Sequence, residues 1–430
     1  MEEIWRNLSK RRGNSIHDDK GGRNHTGNGL DPLPHLKRTM RNRVVLALSV
    51  ARLGDALGNS ILFVIIPLYI ASLPSPWFPL PEPVRVGILI SLYGMVNSML
   101  QPFMGALCDR IGRTKPLIQG GMALMGLGTL AFLLAQRYTD LLILRAVQGI
   151  GVAVTIPASM ALMASATDKG TRGGAMGIYT TMRVVGFGIG PLIGGVLQVH
   201  WGFPAAFCAG AGFIFIAILL VHYWVPDLPA KPPQNPARRF RIIDRELLTP
   251  GILGAALATF VMACTYTLMV TLEKQFNSRL HQTAVGFSIA FSALMVTRLL
   301  FQVPLGRLSD RIGRKPLIVA GLIAIAPATA LMGVVVTTAQ LTGLRLFQGL
   351  ASAAIAAPAF ALAGDLSDAG GEGRQMSIVT MGFGLGIALG PLISGFLAVH
   401  SFELPFLVGG ILALLGAWAV YRFVPETVRT

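Results

Sequence analysis

Twelve apolar stretches of about 20 residues, the length that crosses the ~30 Å hydrocarbon core of a bilayer as a helix, dominate this chain. Each is predicted to be helical, because in lipid a helix satisfies its own backbone hydrogen bonds. The 430 residues therefore predict an all-α membrane protein with twelve transmembrane helices. The predicted spans are 44–72, 84–107, 116–136, 139–164, 174–199, 203–225, 249–272, 284–306, 316–337, 340–364, 375–400 and 403–424.

The composition argues against an ordinary soluble protein. Charged residues make up 13% of the chain and apolar residues 53%, whereas soluble proteins carry about 25% charged residues. Too little polar material remains to coat a soluble domain, so lipid is the expected partner of much of the surface. Three cysteines without metal-ligand spacing (Cys108, Cys208 and Cys264) predict neither a metal site nor a cofactor.

The net charge of +16 is distributed unevenly along the chain. Of the 36 Lys and Arg residues, 27 fall on the predicted side that holds both termini, and four fall on the other side. This asymmetry is the positive-inside signal of a multi-pass protein in the inner or plasma membrane, with both termini cytoplasmic. The same distribution argues against nucleic acid as the partner of the positive charge.

An internal repeat divides the chain into two related parts. Residues 105–115 read GALCDRIGRTK and residues 306–316 read GRLSDRIGRKP, and the stretches 176–200 and 376–400 are identical at 12 of 25 positions. Two parallel repeats predict two pseudo-symmetric six-helix bundles with a transport site between them. The alternative is a duplicated helical scaffold without transport.

The domain boundaries follow from the repeat and from the Pro-rich, basic connector. We expect a disordered cytoplasmic tail over 1–43, an N-terminal bundle over 44–225, a cytoplasmic linker over 226–248 and a C-terminal bundle over 249–430. The tail is polar and has no apolar core, so it is not read as a cleavable signal sequence. A monomer is expected.

The repeated DRIGR segments are the first candidates for function. Their glycines permit tight turns, their arginines suit anionic headgroups, and their carboxylates can cap a neighbouring helix N-terminus. We interpret them as the conformational gate of each half, although a plain topology signal is the alternative. The predicted gate residues are Gly105, Asp109, Arg110, Gly112, Arg113, Gly306, Asp310, Arg311, Gly313 and Arg314.

The segments resemble motif A of the major facilitator superfamily, and the resemblance covers the chain from about residue 44 onwards. Span 4 opens with a sequence similar to motif B of that family, which contains Arg145 and Gln148. The resemblance implies that Arg145 takes part in proton coupling. Alternatively, Arg145 braces the helices through backbone carbonyls.

Span 5 resembles motif C of the drug:proton antiporter branch. Glycines three to four residues apart give a smooth groove for a neighbouring helix, and the proline adds a kink. Span 11 keeps most of the pattern but has Ser394 in place of one glycine. The span 5 motif residues are Gly177, Gly186, Gly190, Pro191, Gly194 and Gly195.

Asp55 is the one carboxylate predicted well inside a span. A carboxyl in a low dielectric can load and release a proton near neutral pH, so Asp55 is the predicted coupling acid. Arg52 lies three residues earlier on the same helix face. Asp55 is therefore alternatively a static partner of Arg52, and the two interpretations are compatible.

Further arginines and aromatic residues inside the spans are candidates for the substrate cavity. An unpaired positive cavity would suit an anionic or zwitterionic amphiphile better than a cationic drug, unless some of the arginines face packed helices. For each aromatic residue, ordinary packing is the main alternative. The candidates are Arg183, Arg298, Tyr69, Tyr93, Phe187, Tyr266 and Phe291.

Together these features predict a proton-coupled antiporter that exports small amphipathic or drug-like compounds by alternating access, and not an enzyme. No nucleotide-binding loop occurs in the sequence, so an ion gradient or the substrate's own gradient must supply the energy. The alternatives are a uniporter, a lipid flippase or a metabolite or organic-anion exporter of the same fold. A membrane sensor without transport is a further alternative.

Overall fold

The computed structural model describes residues 43–71, 73, 80–111, 113–167, 169–226, 249–366 and 372–426. Its regular elements in these ranges are helices, which confirms the all-α prediction. The expected tail lies outside the described residues except for its last residue, and the expected linker lies outside them except for its first. Gly112 also lies outside them, as do the side chains of Asp109 and Arg110.

The helices are numbered α1 to α12 in chain order. Short 3-10 turns extend α3, α6 and α9 at Phe132–Leu134, Leu268–Leu272 and Leu331–Val334. The helices are α1 (Arg43–Ile70), α2 (Glu82–Ile111), α3 (Thr114–Ala131), α4 (Tyr138–Ala166), α5 (Lys169–Trp224), α6 (Pro250–Thr267), α7 (Glu273–Arg279), α8 (Ala284–Ile312), α9 (Arg314–Ala330), α10 (Thr338–Asp365), α11 (Glu372–Leu397) and α12 (Leu404–Phe423).

One glycine explains why the described residues hold eleven apolar helices of membrane-spanning length rather than twelve. The 56-residue helix α5 is interrupted at Gly202, where φ is 79° and ψ is −178°. Glycine adopts this conformation without a steric penalty because it has no Cβ. The two arms of α5 correspond to predicted spans 5 and 6. Helical dihedral angles continue through Pro191, so the break lies eleven residues beyond the proline.

The seventh predicted span is also interrupted. The α6 helix ends at Thr267, a 3-10 segment covers Leu268–Leu272, and α7 continues to Arg279. A 3-10 turn changes the hydrogen-bond partner of each carbonyl and releases some carbonyl groups at the junction with an α-helix. The equivalent helix of the first half, α1, is continuous from Arg43 to Ile70.

The two halves use the same helix pairings. In the first half α1 packs against α5, α3 against α4, and α2 against α4. In the second half α6 packs against α11 and α12, α9 against α10, and α8 against α10. The pairings correspond when the sequence repeat is applied, so the fold consists of two pseudo-symmetric bundles. Within each half, successive membrane-spanning segments alternate in direction, because the connections between them are short.

The halves contact one another mainly along two helix pairs, α2 with α11 and α5 with α8, and α1 adds smaller contacts with α7 and α8. We call the end of the bundle with Arg113 and Arg314 the basic end, and the end with Glu82 and Gly202 the far end. At the far end, the Lys274 ammonium lies 2.7 Å from a carboxylate oxygen of Glu82 and joins the halves.

Backbone contact between the halves runs from the far end to the middle of the bundle. A Cβ placed on Gly94 of α2 would lie 3.0 Å from Ala388 of α11, and one on Gly384 would lie 3.0 Å from the Ser98 hydroxyl. Towards the basic end, Gly105 and Gly306 have neighbours within 4 Å only in their own halves. Among the described residues, the contacts between the halves therefore lie at the far end and in the middle.

Candidate functional site

A cavity with an empty volume of about 270 Å³ lies between the halves. Four of the seven predicted cavity residues line it, namely two arginines and two aromatic residues. The lining residues are Arg183, Val184, Phe187, Tyr266, Met295, Arg298, Phe383 and Ile387.

Two guanidinium groups share one aromatic ring in this cavity. The Cζ atom of Arg183 lies 5.1 Å from the centroid of the Phe383 ring, and that of Arg298 lies 5.5 Å from the same centroid. Arg298 is only 4% exposed, and its Nε atom has no hydrogen-bond partner. Within the described part of the chain, neither arginine forms an ion pair with a carboxylate. The cavity thus carries two positive charges without a protein counter-ion.

Sequence reasoning missed Phe383, although the repeat contains a signal for it. At the offset of 200 residues that aligns α5 with α11, Phe383 is the counterpart of Arg183, and Ile387 is the counterpart of Phe187. Helices α5 and α11 face each other across the pseudo-symmetry axis. The counterpart of a predicted cavity residue was therefore itself a candidate.

The other three predicted cavity residues do not line this cavity. Tyr69 packs against Phe203 and Phe207 in the second arm of α5, with ring centroids 5.2 and 5.1 Å away. Tyr93 lies beneath the Arg145 guanidinium. Phe291 stacks on Phe63 of α1, with the ring centroids 6.4 Å apart. These rings pack between helices in the described structure.

Asp55 and Arg52 form a buried ion pair on α1. Asp55 is 1% exposed and also accepts a hydrogen bond of 2.9 Å from the Asn59 side chain. The Arg52 guanidinium stacks on the Tyr179 ring of α5, 5.6 Å from its centroid. The two residues are therefore partners, as one of the sequence-based interpretations held.

A second cavity, with an empty volume of about 210 Å³, adjoins this ion pair inside the first half. Thr155 and Ser159 of α4 contribute hydroxyl groups to its wall, and the Tyr179 hydroxyl is buried without a hydrogen-bond partner. A buried, unpaired hydroxyl in a polar wall can be satisfied by water. The ion pair thus borders a space suited to water, separate from the cavity between the halves.

Arg145 and Arg345 occupy matching positions in a series of side-chain hydrogen bonds that occurs once in each half. Arg145 donates to Gln148 at 3.1 Å, and Gln148 donates to Thr129 at 2.9 Å. Arg345 makes the same contacts in the second half, at 2.6 Å to Gln348 and then 3.0 Å to Thr329. Neither arginine has a carboxylate partner in the described residues, so both are held by neutral acceptors.

The two arginines differ in one contact. Arg345 also donates to the backbone carbonyl of Tyr266, at 3.1 Å. Tyr266 lies just before the 3-10 segment of the seventh span. No backbone hydrogen bond is recorded for Arg145, which lies over the Tyr93 and Phe132 rings. The sequence offered bracing through a backbone carbonyl as an alternative role for Arg145. In the structure it is Arg345, the counterpart of Arg145 in the second half, that makes such a contact.

The glycines of the span 5 motif contact two different helices. Gly186 and Gly190 face α1, where a Cβ would lie 3.0 Å from the Leu53 carbonyl oxygen and 2.9 Å from that of Leu57. Gly194 faces α1 as well, and Gly195 faces α8 of the other half. The predicted close helix approach is present at these four positions. Gly177 is the exception, because nothing lies within 4 Å of a Cβ placed there.

The motif of span 11 is adapted to its interrupted neighbour. Ser394, in place of the expected glycine, donates a 2.7 Å hydrogen bond to the backbone carbonyl of Leu268. Leu268 begins the 3-10 segment of the seventh span, where carbonyl groups lose their α-helical partners. The serine therefore replaces the expected glycine at a position where it can bond a carbonyl group of the interrupted seventh span. The corresponding helix of the first half, α1, has no such interruption.

The second DRIGR segment forms a charged network at the basic end. Arg314 pairs with Asp310 and with Asp365 of α10, the latter at 3.0 Å, and donates to the Ser309 hydroxyl at 2.7 Å. Gly313 has φ of 107°, which accounts for glycine in this turn. Arg311 is exposed. In the first copy, Arg113 is exposed as well.

Two expectations for this segment require correction. The eighth span was predicted to end at residue 306, before Asp310, but α8 continues to Ile312, so Asp310 lies in its last turn. The carboxylate that caps the N-terminus of α9 belongs to Glu426, which accepts the backbone N–H groups of Arg314 and Lys315 at 3.1 Å each. Asp310 instead pairs with Arg314, because its position one turn before Arg314 suits a side-chain contact.

Replacing Glu426 with alanine is expected to destabilise the basic end of the second half. The substitution removes a helix cap worth about 0.5–2 kcal/mol. We expect a lower midpoint of thermal unfolding and faster hydrogen exchange confined to the first turn of α9. Arg422→Ala on the neighbouring α12 is the control, and equal exchange rates in the two variants would contradict the assignment of the cap.

The sequence profile described as Major Facilitator Superfamily matches residues 48–280 and 251–430. The multidrug resistance protein MdtG of Salmonella arizonae is 27% identical over 274 residues, which cover 63% of this chain and 67% of that protein. The MdtG protein of Salmonella paratyphi B aligns equally well.

Two solved structures share the fold. A bacterial homologue of the human lysosomal transporter Spinster, inward-facing and occupied, superimposes with a TM-score of 0.74 at 15% identity, over 89% of this chain and 96% of that one. The human organic anion transporter MFSD10 (TETRAN) superimposes with a TM-score of 0.64 at 18% identity, over 88% and 99%. The profile match, the repeat and the paired bundles together establish that this chain belongs to the Major Facilitator Superfamily of membrane transporters.

Proposed function

We propose that this transporter exports small amphipathic compounds in exchange for protons. The observation that carries the proposal is the buried Arg52–Asp55 pair beside its own polar cavity, separate from the cavity between the halves. A proton site that is separate from the substrate site but lies in the same bundle allows protonation to influence substrate binding through the helices. The similarity to MdtG proteins, whose name denotes multidrug resistance, supports a drug-like substrate.

In this proposal the basic end is cytoplasmic, in agreement with the positive-inside distribution of charge. The far end is held closed by the Glu82–Lys274 ion pair and by the contacts of α2 with α11 and of α5 with α8. This arrangement corresponds to a state that opens towards the cytoplasm. Export then requires the far end to open while the basic end closes.

Asp55 is the proposed proton carrier and Arg52 its electrostatic partner. Protonation neutralises the carboxylate and weakens the ion pair, so Arg52 is released to interact with Tyr179 and with water in the adjacent cavity. Because Gly186 and Gly190 hold α1 against α5, a shift of α1 is transmitted to the helix that carries Arg183. Arg145 contributes positive charge to the same half through its contacts with Gln148 and Tyr93.

The test of proton coupling is Asp55→Asn in proteoliposomes that contain a pH-sensitive dye. Ethidium, 2-naphthoate and 2-naphthylmethanol are added in turn, as a cation, an anion and a neutral compound. We expect at least one of them to drive proton flux in the wild-type protein, and we expect this flux to fall to background in Asp55→Asn.

Glu403→Gln is the control, because Glu403 lies at the far end and pairs with Arg279 at 2.8 Å. Undiminished coupled flux in Asp55→Asn would overturn the role of Asp55. Compound uptake without proton flux in the wild-type protein would favour the uniporter instead.

A further inference from the structure

We propose that the cavity between the halves binds an amphiphilic anion, a compound with one acidic group and a small aromatic or aliphatic body. The inference rests on the proposed function only in taking this cavity as the substrate site, and it does not depend on proton coupling. It narrows the substrate from amphipathic compounds in general to one class of charge.

The charge of the cavity is the first argument. Arg183 and Arg298 both face it, and its other lining residues are apolar or aromatic, with no carboxylate among them. A buried cation without a counter-ion is costly, because burial removes its hydration. An acidic group placed between the two guanidinium groups would neutralise one of the two charges and attract both groups. Guanidinium groups also bind carboxylates, sulfonates and phosphonates through paired hydrogen bonds.

The positions of the buried acids are the second argument. Asp55 is already bonded to Arg52 and Asn59. Glu273 is fully buried on α7, beyond the 3-10 segment and near the far end. Within the described part of the chain, no other acid is buried inside a membrane-spanning segment. Asp55 attracts Arg183 electrostatically, but within the described part of the chain no carboxylate forms an ion pair with either arginine of the cavity.

The aromatic wall of the cavity is the third argument. Its apolar surface favours a ligand that has an apolar body as well as an acidic group, rather than an inorganic anion. Phe383 holds both guanidinium groups by cation–π contact. Phe187, Tyr266 and Met295 provide apolar surface beside them. A compact body with a single acidic group fits these properties.

A compound with the same body and a cationic group would be rejected. It would place a third positive charge beside two that lack a counter-ion. Like-charge contact of this kind is a means of excluding the wrong ligand. A neutral compound would avoid the repulsion but would leave both guanidinium groups unpaired. The expected order of affinity is therefore anion, then neutral compound, then cation.

Three compounds that share one naphthalene ring test this order. They are 2-naphthoate, 2-naphthylmethanol and 2-naphthylmethylammonium, which carry negative, zero and positive charge on a one-carbon substituent. Affinities are measured by isothermal titration calorimetry with the full chain in lipid nanodiscs. We expect 2-naphthoate to bind the wild-type protein at least about tenfold more tightly than 2-naphthylmethanol, the gain from one charge-assisted hydrogen bond.

Arg298→Gln and Arg183→Gln are each expected to remove most of the preference for 2-naphthoate over 2-naphthylmethanol. Arg298→Lys is expected to retain part of this preference, because it keeps the positive charge. Arg279→Gln is the matched control. Arg279 also lies over a phenylalanine ring, 4.2 Å from the centroid of Phe402, but outside the cavity. The midpoint of thermal unfolding is recorded for every variant, so that misfolding is not read as lost binding.

Equal affinity for the anion and the neutral compound would overturn the proposal, as would tighter binding of the cation. A preference that survives both glutamine substitutions would overturn it too, and so would the absence of binding by all three compounds. Asp55→Asn is expected to keep the preference for 2-naphthoate. If the preference holds but proton flux is absent from the wild-type protein, proton coupling fails and the anion site stands. If proton flux occurs without the preference, the anion site fails alone.

Discussion

Gly195→Val is expected to hold the transporter with its far end open and to reduce transport strongly. Gly195 lies where α5 of the first half meets α8 of the second, and a Cβ there would be 2.9 Å from the carbonyl oxygen of Ala284 and in conflict with Ser288. The added side chain is therefore accommodated only when the halves separate at the far end. Overpacking costs about 1–3 kcal/mol, and when only one state bears that cost, the balance between states shifts about 5–150-fold.

The measurement is the distance between spin labels at positions 136 and 336, determined by double electron–electron resonance in a cysteine-free background. Gln136 and Val336 are exposed at equivalent positions near the far end, one in each half. We expect the distance distribution to shift to longer values in Gly195→Val. Gly395→Val should act similarly, because Gly395 faces Pro83 and Val84 of α2 across the same boundary.

Two variants from the same motif separate a conformational effect from ordinary damage. Gly190→Val conflicts with Leu57 and Ser60 of α1, inside one half, so it should lower thermal stability without lengthening the label distance. Gly177→Ala should change neither quantity, because nothing lies within 4 Å of the added carbon. A folded Gly195→Val protein with an unchanged distance distribution would contradict the interpretation.

Gln148→Leu is expected to destabilise the protein more than Gln348→Leu, although the two glutamines occupy equivalent positions. The first substitution removes the one hydrogen bond recorded for Arg145 among the described residues. The second leaves Arg345 bonded to the Tyr266 carbonyl. Leaving a buried polar group without a hydrogen-bond partner costs about 1–3 kcal/mol, and more when the group is charged, and a remaining acceptor reduces that cost.

The measurement is the midpoint of thermal unfolding in detergent, together with the pH profile of transport. Thr129→Val and Thr329→Val are the matched controls, because each removes the hydrogen bond between the threonine and the glutamine of its half. We expect these two substitutions to lower the midpoint of unfolding by smaller and similar amounts. Equal destabilisation by the two glutamine substitutions would contradict the argument. A shift of the pH profile in Gln148→Leu alone, without loss of stability, would instead favour direct participation of Arg145 in proton coupling.

The features that the sequence predicted well depend on local pattern. The hydropathy of the spans predicts where the helices lie, because the thickness of the bilayer sets their length, although α8 runs six residues beyond its predicted span. The spacing of the span 5 glycines predicts a packing face, and Gly186, Gly190 and Gly194 do face one helix. Arg52 and Asp55 are three residues apart on α1, so their pairing was also accessible from spacing.

The features that the sequence did not predict depend on distant parts of the chain. Ser394 looked like a degenerate glycine until the 3-10 segment of the seventh span supplied the Leu268 carbonyl that it bonds. Phe383 is one phenylalanine among 22 until the pairing of the halves places it beside two arginines. The cap on α9 comes from Glu426, 112 residues away. No local pattern carries that information.

The origin of this cap has a consequence for biosynthesis. The chain is made from its N-terminus, and Glu426 follows Arg314 by 112 residues. At about 5–20 residues per second, the first turn of α9 waits on the order of ten seconds for the carboxylate that satisfies its amide groups. During that time the turn after the second DRIGR segment lacks its cap, although α9 itself has already been made. The second DRIGR segment therefore reaches its final contacts only after α12 has been synthesised, which makes it one of the last parts of the nascent protein to mature.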